Sequence, residues 1–316
     1  MNIWLDDCIY RLQTSGGISR VWDCLTPALK AALLEATFDN QQRPDVFLST
    51  YYQRAPEGVK SIALVYDFIH ERDCRLGANH IDAVQKRQAI ASADAVVAIS
   101  QFTAADCLTY CQRSATVAYC GGAEFQRALP DAVAAFRRKY QLDKPYFLVV
   151  GRRELYKNVT AVYQAWGQAQ TTGGYTLLAV GGADPGPAET AFATRYPATF
   201  RHVRLTETEL AAAYTAAAAL VYPSIYEGFG LPLVEALACG CPVICGSGGS
   251  LSEVAGNAAV YVDVFRPRSI AAALDKMAQP DFRLDLTLTG YEQARQFTWR
   301  GMAEQVANVI RNVVYD

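Results

Sequence analysis

The sequence lacks the features of an exported, membrane-spanning or nucleic-acid-binding protein. Its 29 basic residues are slightly outnumbered by 31 acidic ones, and they are scattered rather than striped, so no nucleic-acid partner is expected. The opening MNIWLDDCIY carries acidic residues where a secretory signal needs a basic start and an apolar run. The apolar stretch 210–225 is shorter than the roughly 20 residues of a membrane-spanning helix. These absences predict a cytoplasmic chain.

Motifs of a cysteine-based metal site are also missing. The nine cysteines include no C-x-x-C pair and no histidine partner at zinc-ligand spacing. Reduced thiols that pack as small apolar side chains are therefore predicted.

Length and patterning predict two α/β domains. A chain of 316 residues exceeds the size at which one core usually keeps growing. Short apolar runs such as DVFLST and AVVAIS alternate with helical stretches, a rhythm typical of βαβ units and a parallel sheet. The rhythm restarts after LDKP, without a fixed-period repeat, so we place the domains at 1–142 and 143–316. Ligands of such doubly wound sheets bind beyond the carboxyl ends of the strands.

One such strand end carries two cations. In LVVGRRELYKN a predicted strand ends at Gly151, and Arg152 and Lys157 follow it. A guanidinium and an ammonium near the start of a helix, predicted close to Asn158, could clamp a diphosphate. On spacing alone, a solvated surface turn is the simpler interpretation of the same residues.

A second strand end carries two carboxylates. In YPSIYEGFGLPLVEALACG, Glu227 precedes a glycine pair and Glu235 lies in the helix that Pro232 helps to start. Glycine backbone allows close approach of a ligand, and the helix amino terminus attracts anions. Glu235 could accept hydrogen bonds from ribose hydroxyls, and Glu227 from a polyol beyond the phosphates. The alternative makes Glu235 a helix-dipole partner and Glu227 a turn residue.

A family resemblance favours the first interpretation. The segment YPSIYEGFGLPLVEALACGCPVICGSGGSLSEVAGNAA resembles the donor-site signature of the retaining glycosyltransferases of family 4, including bacterial mannosyltransferases of polysaccharide synthesis. SGGISRV, VYDFIHE and YFLVVGRRELYKN resemble further segments of that family in the same order. The resemblance implies the GT-B fold, in which two Rossmann-like doubly wound parallel-sheet domains face a central cleft.

The resemblance also implies roles for individual residues. Arg152 and Lys157 match the residues that bind the donor's diphosphate. Glu227 matches the carboxylate that engages the transferred sugar, and Glu235 the one that binds ribose. The remaining implied donor contacts are made by glycines or by backbone amides. They lie at Gly16, Gly17, Gly151, Gly228, Phe229, Gly230 and Leu231. Ser100 and Glu253 also match family positions, Ser100 as an acceptor-side candidate together with Tyr66 and His70, and purely structural roles stay open for Ser100 and Glu253.

The chain departs from the family on the acceptor side. Tyr66 stands where the family usually has a histidine, before Asp67, and a tyrosine hydroxyl is seldom charged at neutral pH. His70 is a candidate replacement, although a core or surface histidine is the simpler interpretation. Leu48 replaces a residue that is usually polar. Only about ten residues separate the first predicted helix from DVFLST, so the amino-terminal domain looks trimmed by one strand–helix unit.

The implied activity is retaining, metal-independent transfer of a hexose from a nucleotide-diphosphate sugar to a hydroxyl of a glycan or lipid-linked saccharide. GDP-mannose is the first donor candidate and a UDP-hexose the second. No Asp-x-Asp motif is present to anchor a divalent ion, so no metal or other cofactor is expected, and Asp67 joins Arg152, Lys157 and Glu227 as a candidate catalytic residue. The alternatives are a non-catalytic nucleotide-sugar-binding protein and another GT-B enzyme such as a 2-epimerase.

Two predictions concern surfaces rather than the site. The basic cluster 137–139 could rest peripherally on the inner membrane face, although a solvated helix face is the simpler interpretation. The last helix could pack back on the amino-terminal domain.

Overall fold

The computed structural model describes residues 1–13, 16–73, 80–182 and 184–315, which divide into two compact units. The first unit takes the described residues up to 121, residues 227–231 and those from 297 onward, and the second takes 122–226 and 232–296. Residues 122–142, which lie in the amino-terminal domain of the sequence-based division, group with the second unit. The last helix groups with the first unit.

The first unit is built on a parallel five-stranded sheet with the order β1-β2-β3-β4-β5. Its strands are β1 Ile3–Leu5, β2 Val46–Ser49, β3 Lys60–Val65, β4 Ala95–Ala98 and β5 Thr116–Val117. Its helices are α1 Cys8–Leu12, α2 Gly17–Ala32, α3 Ile69–Arg72, α4 Ile81–Ser92, α5 Gln101–Cys111 and, at the end of the chain, α14 Trp299–Tyr315.

Helix α14 packs on a part of this sheet for which the local chain supplies no helix. The connection between β2 and β3, residues 50–59, contains no helix, and α14 packs against both strands, β4 and α2. Its buried residues, Met302, Ala303, Val306, Ala307, Val309 and Ile310, repeat at the spacing of one helix face. The carboxyl end of α14 is fixed where Lys60 Nζ donates to the Val313 carbonyl at 2.5 Å.

The second unit is built on a parallel six-stranded sheet. Its strands are β6 Tyr146–Val150, β7 Thr176–Val180, β8 Phe200–Val203, β9 Ala219–Tyr222, β10 Val243–Gly246 and β11 Ala259–Val262. Its helices are α6 Pro130–Lys139, α7 Val159–Trp166, α8 Pro187–Arg195, α9 Glu207–Ala216, α10 Leu231–Ala238, α11 Ser250–Ala255, α12 Pro267–Met277 and α13 Pro280–Ala294. Helix α10 begins in the 227–231 segment and continues in the second unit. Strands β7, β9 and β10 are buried along their whole length, as expected for strands covered on both faces.

The strand order of this sheet reverses between β6 and β9. The order is β11-β10-β9-β6-β7-β8, so the chain builds outward from β6 in one direction and then returns to its other side. Phe147 pairs with Ala219, and Leu148 with Leu220. Connections leave the carboxyl ends of these two strands in opposite directions, and this switch point is where open α/β sheets bind ligands.

The loop 227–231 is packed into the first unit by a glycine contact. A Cβ atom on Gly228 would overlap the carbonyl oxygen of Tyr66 and lie 3.1 Å from Cβ of Asp67. The carbonyl of Gly228 accepts a hydrogen bond from Thr103 Oγ1 at 3.1 Å. The sequence predicts that Gly228 lets a ligand approach; in the structure, protein backbone occupies that space.

Two neighbours complete the loop. The side chain of Phe229 is buried and lies edge-on to Phe297, with ring centroids 5.5 Å apart, so only the backbone of Phe229 is suited to contact a ligand. Gly230 has φ +100°, a backbone conformation that residues with a Cβ rarely adopt. Side-chain packing and backbone conformation therefore both define the shape of this loop.

We expect Gly228→Ala to destabilise the protein, because the added methyl group forces the backbone at 228 away from Tyr66. Overpacking of this kind costs roughly 1–3 kcal/mol, which a thermal melt detects. Gly17→Ala is the matched control: a Cβ there meets nothing within 4 Å in the part of the chain that the structure describes, and alanine favours the helix that starts at this residue. If Gly228→Ala melts at the temperature of the unsubstituted chain, this packing of the loop is wrong.

Candidate active site

The loop after β6 carries the predicted diphosphate clamp. Gly151 follows the strand with φ +112° and donates its N–H to the Val180 carbonyl at 3.0 Å. Arg152 comes next and is exposed, and its guanidinium lies 3.3 Å from a carboxylate oxygen of Glu154. An exposed ion pair contributes little stability, so the guanidinium can exchange Glu154 for another anion at little cost.

Lys157 is held more firmly. It ends a single 3-10 turn, Leu155–Lys157, and Asn158 follows with φ +52°. The Asn158 amide donates to the carbonyl of Val264 at 2.7 Å, which anchors the turn before α7 begins. Lys157 Nζ donates to the hydroxyl of Tyr222, at the end of β9, at 3.1 Å. The ammonium therefore bridges the switch point between β6 and β9.

Aromatic faces also surround the Lys157 ammonium. Nζ lies 5.0 Å from the ring centroid of Tyr156 and 5.3 Å from that of Tyr222, distances at which the ring quadrupole attracts a cation. The sequence predicts Lys157 but gives no signal for these two tyrosines. Their part becomes visible only when β6 and β9 are neighbours.

A buried ion pair also holds the loop after β6. Arg153 Nε donates to Glu189 Oε2 at 2.8 Å, and the Glu189 side chain is only 3% exposed. Arg153 Nη1 also donates to the Gly151 carbonyl, and His202 Nε2 lies 3.0 Å from the Gly181 carbonyl. Sequence reasoning did not identify this network, because its members come from four separate parts of the chain, at 151–153, 181, 189 and 202.

Glu235 lies on α10 and is buried, at 4% exposure. The hydroxyl of Tyr214, on α9, donates to Glu235 Oε2 at 3.1 Å. Burial, together with the Glu235 carboxylate, raises the pKa of Tyr214 well above its ordinary value, so the hydroxyl keeps its proton and stays a donor. Sequence reasoning also missed Tyr214, since nothing in α9 marks it.

Tyr66 follows β3 in the first unit and is 3% exposed. Its hydroxyl donates to the Thr50 carbonyl at 2.8 Å and accepts from Trp22 Nε1 at 2.5 Å. Burial raises the pKa of Tyr66 well above its ordinary value of 10.0. The hydroxyl is therefore a neutral group already engaged with protein partners.

The other acceptor-side residues have structural partners as well. Asp67 Oδ1 accepts from the Ile69 N–H at 3.1 Å. Ser100 is fully buried and caps α5, where its hydroxyl accepts from the Thr103 N–H at 2.9 Å. His70 is half-buried on α3, and Leu48 lies in the core of β2. The cap gives Ser100 a structural role that its match to a family position did not require.

The predicted glycine loop near the chain start precedes α2. Gly16 is the residue before the helix, and its carbonyl accepts from the Ser19 hydroxyl at 3.1 Å. Gly17 opens the helix, and a Cβ there would meet no atom of the described residues within 4 Å.

Each unit brings together part of the predicted site. The first contains the acceptor-side candidates and the buried Glu227, with its loop: Tyr66, Asp67, His70, Ser100, Glu227, Gly228, Phe229, Gly230 and Leu231. The second contains the diphosphate and ribose candidates: Gly151, Arg152, Lys157 and Glu235. That the cations and Glu227 meet on one donor stays a prediction.

The predicted membrane-facing cluster has protein partners. Lys139 Nζ lies 2.5 Å from a Glu209 carboxylate oxygen, and Arg137 donates to the carbonyls of Asp143 and Lys144. These contacts favour the interpretation as an ordinary helix face. Among the helices of the described residues, none combines the length and apolarity needed to cross a membrane.

Comparison with known proteins identifies relatives of this chain. It is 42% identical over 99 residues to O-antigen chain mannosyltransferase B of Escherichia coli, an alignment that covers 31% of this chain and 26% of that protein. It is 38% identical over 110 residues to a D-inositol 3-phosphate glycosyltransferase of Nocardioides sp., covering 34% of this chain and 24% of that protein. The matched part thus spans about a quarter of the length of these curated relatives.

The fold has a counterpart among solved structures. The structure of Anabaena HepE in complex with UDP-glucose superposes with a TM-score of 0.78 at 14% identity, covering 98% of this chain and 99% of that one. Together with the two parallel-sheet units, this similarity confirms the predicted GT-B fold.

The family model described as "Glycosyl transferases group 1" matches residues 133–292, about half of the 316 residues. This stretch contains the clamp after β6, the loop after β9 and helix α10. The chain therefore belongs to the group 1 glycosyl transferases.

Proposed function

We propose that this chain transfers a hexose from a nucleotide-diphosphate sugar to a hydroxyl of a glycan or lipid-linked saccharide. The observation that carries the proposal is the Lys157–Tyr222 hydrogen bond across the β6/β9 switch point. It holds a cation where a doubly wound sheet binds its ligand. The relative named as an O-antigen chain mannosyltransferase supports GDP-mannose as the first donor, and HepE, in complex with UDP-glucose, supports a UDP-hexose as the second.

The reaction mainly requires stabilisation of the negative charge that develops on the leaving diphosphate. As the glycosidic bond to phosphate breaks, positive charge develops on the anomeric carbon and negative charge on the departing diphosphate. Cations fixed before the reaction stabilise this charge without reorganisation. Lys157 meets that condition because Tyr222 and two aromatic faces hold its ammonium. Arg152 adds a mobile charge that can leave Glu154 when a diphosphate binds.

The nucleotide is assigned to the second unit. One oxygen of Glu235 accepts from Tyr214, and the carboxylate has further lone pairs that can accept hydrogen bonds from ribose hydroxyls. Tyr214 remains protonated, so its hydroxyl stays a donor that fixes the position of the carboxylate. None of the described residues named here distinguishes one nucleotide base from another. GDP and UDP donors are therefore both candidates.

The sugar and the acceptor proton are assigned to the first unit. Glu227 engages hydroxyls of the transferred hexose, from the loop that packs on Tyr66 and Asp67. For retention of configuration, the acceptor hydroxyl attacks from the face that the phosphate leaves. The departing phosphate oxygen takes the acceptor proton, with Asp67 as a helper, so the reaction needs no histidine at position 66.

A thermal-shift series is expected to identify the donor. A ligand at 100 times its dissociation constant adds roughly 2.7 kcal/mol to stability, and GDP-mannose should give the largest shift among GDP, UDP and ADP sugars. The Lys157→Ala variant should lose most of that shift, because it lacks the fixed diphosphate contact. A larger shift with a UDP-hexose would replace the first donor by the second, and no shift with any nucleotide sugar would contradict the proposal.

Substitution of the two central side chains is expected to slow transfer. Lys157→Ala and Glu227→Ala should each lower kcat/KM by about a hundredfold or more, on the order of 3 kcal/mol of transition-state stabilisation. The assay measures product glycan and released nucleoside diphosphate together. Lys144→Ala is the control, since that lysine is exposed and the described interaction of its side chain is with the Gly173 carbonyl. Near-normal rates in both variants would contradict the assignment of Lys157 and Glu227 to the transfer reaction.

Chelation is expected to leave the reaction running. Protein cations and the amino terminus of α10 carry out the charge stabilisation in this proposal, so excess EDTA should change the initial rate by less than about twofold. Added Mg²⁺ should not raise the rate of a chelator-treated sample. Loss of turnover that Mg²⁺ or Mn²⁺ restores would contradict metal-independent transfer.

A further inference from the structure

Two of the three histidines of the chain are stacked on each other in the first unit. His70 lies on the short helix α3, and His80 is the residue that caps α4. Their ring centroids are 4.6 Å apart and the ring planes differ by 9°. The sequence separates them by ten positions and gives no sign of this contact.

Asp82 completes the cluster from the first turn of α4. Its Oδ2 lies 3.4 Å from His80 Nδ1, and one ligand atom from each of the three residues lies within 4.8 Å of the others. We propose that His70, His80 and Asp82 form a binding site for a divalent transition cation of the Zn²⁺ type, outside the glycosyl-transfer chemistry.

The donor set selects the kind of cation. Two imidazole nitrogens and one carboxylate oxygen are ligands that zinc accepts, whereas Mg²⁺ and Ca²⁺ prefer sites made of oxygens alone. A tetrahedral ion with bonds of about 2.0–2.1 Å holds its ligand atoms roughly 3.3 Å apart. His80 Nδ1 and Asp82 Oδ2 are already at that spacing, and Nδ1 there also accepts from the Asp82 N–H at 3.4 Å. Binding would exchange this long hydrogen bond and the stacking of the two rings for bonds to the ion.

Charge and access both suit a cation. The nearby ammonium of Lys86 is paired with Glu71 at 2.7 Å, which limits its repulsion of an ion. The side chains of His80 and Asp82 are 45% and 36% exposed, so a cation can enter from solvent.

The site would join α3 to the start of α4, next to Asp67. The Asp67 carboxylate accepts from the Ile69 N–H at 3.1 Å, and its carbonyl accepts from Lys86 Nζ, on α4, at 2.9 Å. A bound cation therefore adds a third link to the segment that carries Asp67. Its expected effect is on the stability of this segment, since the ligands do not include any residue assigned to the donor.

The test uses the full chain without any sugar, so its result is independent of the proposed transfer reaction. Chelator-treated protein is titrated with Zn²⁺ by calorimetry, and Co²⁺ is added in parallel because its visible absorption reports a site with nitrogen and oxygen ligands. We expect one Zn²⁺ per chain and a higher thermal midpoint. His70→Ala, His80→Ala and Asp82→Ala should each weaken binding by at least about tenfold, because each removes one of three ligands.

Controls separate this site from other ligands. His202→Asn, in the second unit, should bind Zn²⁺ as the unsubstituted chain does. The exposed His80 and Asp82 variants keep the test valid if His70→Ala fails to fold. Absence of Zn²⁺ binding, or binding that survives His80→Ala with Asp82→Ala and so belongs elsewhere, for example to cysteine thiolates, would overturn the proposal.

Discussion

Two strands that are far apart in the chain, β6 and β9, are neighbours in the second sheet, and the chemistry assigned to this unit depends on their pairing. Leu148 pairs with Leu220, so the loops after both strands begin at one edge of the sheet. Lys157 from one loop then reaches Tyr222 at the end of the other strand. This hydrogen bond depends on the reversal of the strand order, which makes β6 and β9 neighbours.

Much of this fold could be predicted from the sequence, because buried parallel strands leave continuous apolar runs. The runs YFLVV and ALVY became β6 and β9, and NVTAVYQAW became α7. Helices α1, α3, α11 and α13 were not predicted. Helix α13 has buried residues only at Gly290 and Ala294, so no apolar face marks it. The position of α14 depends on the absence of a helix between β2 and β3, which is a tertiary effect.

The candidate site was predictable where a residue type carries the chemistry, and not where a neighbour positions it. Cations after one strand and carboxylates around another indicated Arg152, Lys157, Glu227 and Glu235. The tyrosines that hold Lys157 and Glu235 come from other segments and have no local signal. For Gly228 the residue type was noticed but its role was misjudged. The sequence suggested that this glycine leaves room for a ligand, whereas in the structure the space of its missing Cβ is taken by the Tyr66 carbonyl.

The tyrosine at position 66 constrains how the acceptor proton can move. Its hydroxyl is bound to Thr50 and Trp22, and burial keeps its pKa well above the ordinary value, so it can neither accept the proton as a phenolate nor donate freely to a substrate. Its backbone, however, forms the surface on which the Glu227 loop rests. Position 66 thus acts through packing, and the acceptor proton must go to another group. In the proposed reaction that group is the departing phosphate, whose developing charge makes it a base at the moment when one is required.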